Sequence, residues 1–182
     1  MLFRSGQTLT DGTYTYTNTL IAGAITGKTL RPYLSPTGGI PITLVQGTKD
    51  GVTACWGTFC IASNSVLSEG ATAYTMGSDF KLYRLGVDGR TIPKNTAVVI
   101  IATEATIQMY SIGNSSNLTV IDHAPGGNIL QGNCNNTAED ISGLSGTPYV
   151  LSKDTNGTIG FRQYTGTEIP AHKAYYVVQP TP

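Results

Sequence analysis

The sequence predicts an all-β protein: a two-sheet antiparallel sandwich with little or no helix. Three observations carry this. No window of 11 or more residues places apolar side chains at i, i+3, i+4 and i+7. The chain instead breaks into short runs rich in Val, Ile, Thr and Tyr, separated by Asp-Gly, Asn-Gly and Pro-Gly steps. Charged residues make up only 12% of the 182, about half the usual share. Thr, Gly and Asn take their place, which suits strands with neutral, hydroxyl-bearing outer faces.

The elements follow in order. Thr13-Tyr14-Thr15-Tyr16-Thr17 alternates after an Asp11-Gly12 turn, and 35–39 reads as a loop. Ile40–Gln46 is a strand, and Lys49-Asp50-Gly51 turns the chain into the next, Val52–Ile61, because Asp-Gly accepts positive φ. Ala71–Met76 and Phe80–Leu85 are strands, with a turn at 87–90. Ala97–Ala102 and Thr106–Ser111 are expected to pair across Glu104-Ala105. Leu118–Ile121 is a short strand, 124–127 a loop, and Ala138–Ile141 a single helical turn. Tyr149–Ser152 and Thr158–Gln163 flank an Asn156-Gly157 hairpin, and Lys173–Gln179 is the closing strand. The whole reads as one domain over 1–182, with 1–52 supplying its first strands or a small lobe, and 180–182 beginning a linker.

Charge and cysteine content narrow the setting. The formal net charge is zero and the pI about 6.7, so no global field draws nucleic acid or an anionic membrane. No apolar run approaches the roughly 20 residues of a membrane span, and Met1–Ser5 leads into no signal-like apolar stretch. The three cysteines are Cys55, Cys60 and Cys134. Cys55 and Cys60 fall on opposite faces of one strand, about 16 Å apart when extended, too far to pair. Three buried thiols is the expectation, with a bond from either one to Cys134 as the alternative.

One pattern occurs twice. Thr91-Ile92-Pro93-Lys94-Asn95-Thr96-Ala97-Val98-Val99 returns as Glu168-Ile169-Pro170-Ala171-His172-Lys173-Ala174-Tyr175-Tyr176, an offset of 77 residues (169 − 92). Each has a hairpin before it, and the two read as related halves of one sandwich. A single repeat of this length is not a solenoid. With Trp56-Gly57-Thr58-Phe59-Cys60, Gly70–Thr75, Asn128–Gly132, Tyr149–Ser152 and Gly157–Phe161, the ordered set over about 53–179 resembles a β-sandwich accessory module of secreted and surface Bacteroidetes proteins. The resemblance implies an extracellular domain within a larger protein, and brings no catalytic residues with it.

Motifs for chemistry are weak. Asp154-Thr155-Asn156-Gly157 mimics the middle of a calcium loop, but Ser152 and Gln163 stand where Asp and Glu are required. His123 and His172 are isolated, so no zinc spacing exists. Gly143-Leu144-Ser145-Gly146 only approximates a nucleophile elbow, and Asp122 and His123 point apart if extended. Most of the acids sit in apparent turns, and Glu104 and Glu168 lie at strand edges. Four Asn-x-Ser/Thr sequons are what so Thr- and Asn-rich a chain produces by chance. No cofactor, metal or catalytic residue is therefore assigned.

Aromatics in a neutral polar chain suggest sugar contact. Trp56 shares a strand face with Thr58 and Cys60, while Phe59 looks the other way with Cys55 and is the better core residue, which frees Trp56 for the surface, the alternative being a buried Trp of the kind common in sandwiches. Tyr110 and Tyr164 stand near strand ends, and of Tyr175 and Tyr176 one faces out; Trp56, Tyr110, Tyr164 and Tyr176 are the candidate ligand contacts. The expected function is a non-catalytic extracellular binding or spacer module on a polysaccharide or another protein surface, with a virion or fibre subunit as the alternative.

Overall fold

A computed structural model gives the fold and describes residues 8–10, 15–17, 39–113 and 118–180. The chain divides into two compact units, Met1–Gly39 and Ile40–Pro182. In the first, β1 (Thr8–Thr10) and β2 (Thr15–Thr17) pair antiparallel. The loop expected at 35–39 lies outside the described residues except Gly39.

The second unit is all-β and antiparallel, as expected. Its strands are β3 (Ile40–Thr43), β4 (Val45–Lys49), β5 (Val52–Phe59), β6 (Asn64–Leu67), β7 (Ala71–Met76), β8 (Leu82–Arg84), β9 (Thr91–Ile92), β10 (Val98–Ala102) and β11 (Thr106–Gly113). After the described chain resumes come β12 (Gln131–Gly132), β13 (Glu139–Asp140), β14 (Thr147–Lys153), β15 (Ile159–Gln163), β16 (Glu168–Ile169) and β17 (Ala174–Val178). They form a central sheet β4-β5-β10-β7-β8, an upper sheet β3-β11-β6-β9, a lower sheet β12-β17-β14-β15 and a small pair β13-β16.

The central sheet is covered on both faces. Cys55, Phe59, Ala73, Val98 and Ile100 look up, and join Ile42, Leu67, Ile92, Ile107 and Met109 of the upper sheet in one core. Trp56, Met76 and Val99 look down and meet Leu130, Ile159 and Ala174 in a second. Residues 98 to 100 are all fully buried. This is the continuous apolar run expected of a strand packed on two sides. A third cluster, Ile141, Ile169 and Tyr175, lies on the outer side of the lower sheet.

The second half of the unit repeats the first. The order β5-β10-β7-β8 returns as β12-β17-β14-β15, and the pair β6-β9 returns as β13-β16. Tyr74 opposes Arg84, and Leu151 opposes Phe161 at the same offset. In both Ile-Pro turns the third residue after Ile has positive φ, 59° at Asn95 and 58° at His172. Thr96 N–H closes the first turn on the Pro93 carbonyl at 3.2 Å.

Several expectations are corrected. β10 and β11 do not pair with each other. At 103–105 the chain leaves the central sheet, where β10 is held by β5 and β7, for the upper one, where β11 is held by β3 and β6. Residues 40–46 form two strands, because the chain changes sheet at the buried Leu44. Residues 118–121 form no strand, and Ala138–Ile141 holds β13 instead of a helical turn. Phe80 sits in the turn before β8, at φ 59°. Cys60 and Cys134 form a disulfide with Cα atoms 4.6 Å apart, while Cys55 is a buried free thiol.

Candidate functional site

The sheets part at one end of the lower interface. Between the central and lower sheets lies a cavity of about 160 Å³, lined by Trp56, Met76, Phe80, Leu82, Phe161 and Tyr176, with Lys49 at its rim. Strand alternation explains the lining. On β5, Trp56 points opposite to Cys55. On β17, Tyr176 points opposite to Tyr175. On β14 and β15, Leu151 and Phe161 are directly opposed, so both reach the same face.

Tyr176 is the hub. Its ring stacks on Tyr149, its cross-strand partner, with centroids 5.1 Å apart and planes within 5°. Phe161 meets it edge-on at 5.1 Å, and Phe80 leans on it at 5.5 Å. Burial, and then the neighbouring Tyr149, push the Tyr176 phenol above its ordinary value. Tyr149, Phe161 and Tyr176 are half-buried, whereas Phe80 is 57% exposed.

The turn that presents Phe80 is pinned. Phe80 N–H donates to the Gly77 carbonyl at 2.9 Å. Asp79 accepts from the Tyr83 hydroxyl at 2.8 Å and from Lys81 N–H at 3.2 Å. The Tyr83 hydrogen bond, opposed by burial and aided by Lys81, holds the Asp79 carboxyl below the usual range.

Trp56 is not a surface residue. It is 6% exposed, and its indole N–H donates to the Gly47 carbonyl at 3.2 Å. The reason is that the face Phe59 leaves free is covered by the lower sheet. Trp56 forms a wall of the first cavity and also of a second, of about 250 Å³, which Tyr164, Lys153 and Lys173 line as well. The Tyr164 hydroxyl is committed to the Glu168 carbonyl at 2.9 Å.

No family model, curated protein or solved structure matches this chain.

Of the four candidate contacts, the fold therefore brings Trp56 and Tyr176 to one cavity and Trp56 and Tyr164 to the next. Tyr110 stands apart: it follows the buried Met109 on β11 and points away from the core of the upper sheet. The sequence reading missed Tyr149, Phe161 and Phe80. The first two were legible in principle, since the Asn156-Gly157 turn sets the register that puts them on the face of Leu151. Phe80 was masked because it looks like the first residue of a strand.

Among the described residues, no group of three or more His, Cys, Asp and Glu is arranged to hold a metal. No helix there is long and apolar enough to cross a membrane.

Proposed function

We propose that this chain is a non-catalytic extracellular binding module whose aromatic mouth, Phe80, Phe161 and Tyr176, with Tyr149 stacked behind Tyr176, holds a neutral polysaccharide. Phe80 carries the reading. A large apolar side chain stands 57% exposed on a left-handed backbone, a conformation that costs an aromatic residue about 1–2 kcal/mol. Contact with Tyr176 covers only part of the ring, and strain retained at an exposed position is a mark of function. The cavity, at about 160 Å³, is below the roughly 300 Å³ of an engulfing pocket. A sugar ring would lie across the mouth, stacked on Phe80 beside Tyr176. The Cys60–Cys134 bond supports an oxidising setting such as the cell exterior.

The test separates strain from binding. Phe80→Gly relieves the left-handed backbone but gives the unfolded chain about 0.5–1 kcal/mol more entropy, so the melting temperature is expected to stay close to that of the parent. Retardation in affinity gels containing neutral polysaccharides is expected for the parent and lost for Phe80→Gly and Tyr176→Ala. Equal retardation of parent and variants, or none of the parent on any polysaccharide, overturns the reading.

A further inference from the structure

The repeat exposes a difference between its halves. In the first, the face formed by Leu67, Ala73 and Ile100 is sealed, each residue at 0% exposure, because β11 pairs with β6 and lays Ile107 and Met109 across it. In the second, Ile141 takes the place of Leu67, its N–H bonded to the Thr167 carbonyl as that of Leu67 is to Arg90, and is buried at 6%. But Val150 and Val177, at the offset of Ala73 and Ile100, are only half-buried, as is Leu144 in the turn after β13. Their neighbours Ile169 and Tyr175, at 1% and 4%, match the buried Ile92 and Val98. The cover that fails lies over Val150 and Val177, in the half where no counterpart of β11 is found among the described residues. Among the described residues, β13 pairs only with β16, so its other edge is open.

We propose that this face receives an extended strand from another protein, which pairs along the open edge of β13 and sets alternate aliphatic side chains on Leu144, Val150 and Val177. The first half shows the chemistry of the occupant, a neutral strand with residues like Ile107 and Met109 two apart. The edge itself is acidic, with Glu139 and Asp140 on β13 and Glu168 opposite Asp140. A basic residue between the two aliphatics therefore adds attraction, weakened by salt. Strand addition of this kind draws affinity from main-chain hydrogen bonds and register from alternate side-chain contacts. The face lies on the opposite side of the lower sheet from Tyr149 and Tyr176, so it is independent of the aromatic mouth.

The probe is a labelled synthetic peptide with the sequence of residues 105–113, a second carrying Gln108→Lys, and a shuffled peptide of equal composition. Saturable binding is expected for the first two, tighter for the Lys peptide at low salt, and absent for the shuffled one. Amide-exchange protection is expected at 139–144 and 174–178. Val177→Asp, or Leu144→Asp should the former not fold, is expected to weaken binding at least about tenfold, while Phe80→Gly leaves it unchanged. Failure of both peptides to saturate the folded parent overturns the proposal. So does binding equal to that of the shuffled control, protection changes at 64–67 from exchange with β11, or indifference to both Asp variants.

Discussion

Trp56 shows how a single side chain changes meaning with its surroundings. In the sequence it is the chain's one tryptophan, on the strand face that Phe59 leaves free. In the fold that face is a second core. The signal was present: both 55 with 59 and 56 with 60 are apolar or sulfur-bearing, a pattern that a half-exposed strand lacks. The expected effect of Trp56→Ala follows from burial. Removing a buried indole enlarges the cavities beside it and orphans the Gly47 carbonyl, a loss of about 3–5 kcal/mol. A urea titration followed by far-UV circular dichroism checks it, and a midpoint within experimental scatter of the parent would show that the indole is not part of the core. Any loss of ligand in this variant would report unfolding, which is why Phe80 and Tyr176 are the residues to change at the site.

Among elements, the two Ile-Pro strands were the most legible and the two-residue strands the least. A Pro bend followed by an uninterrupted apolar run announced β10 and β17, down to the turn that sets them. By contrast β9, β12, β13 and β16 are two residues each, too short for any periodicity, and only their place in the repeat makes sense of them. The expected β10–β11 hairpin failed because neighbours in sequence need not share a sheet, and both flanks of β10 were already taken. The paired turns also diverge in a testable way. Asn95 tolerates positive φ well, so Asn95→Gly is expected to shift stability by less than about 0.5 kcal/mol. His172 carries more: its Nδ1–H donates to the Cys60 carbonyl at 3.1 Å and its ring stacks on Phe59 at 5.8 Å. His172→Gly forfeits both and is expected to cost about 1–2 kcal/mol. Equal costs in paired denaturation curves would mean that the turns are energetically the same despite their different contacts.

For the unit spanning Ile40–Pro182, the question is what holds two repeats as one body. Their shared interface is the lower core, and it is tied covalently where β5 ends in one repeat and β12 ends in the other. Composition hinted at a sandwich and the offset hinted at halves, but nothing local in the sequence could pair Cys60 with Cys134, because connectivity depends on how the halves dock. Docking there is close: a Cβ on Gly132 would come within 2.6 Å of the Cys60 Cβ, so only glycine lets β12 approach. The bond closes 74 residues of chain, and loop-closure entropy assigns such a crosslink about 4 kcal/mol, exerted on the unfolded state. Cys60→Ala with Cys134→Ala is therefore expected to lower the urea midpoint. It should also raise the m-value, since an uncrosslinked unfolded chain exposes more surface. Reductant should move the parent toward the variant curve and leave the variant unmoved. If parent and double variant unfold at the same midpoint, with and without reductant, packing alone joins the repeats and the disulfide contributes nothing to stability.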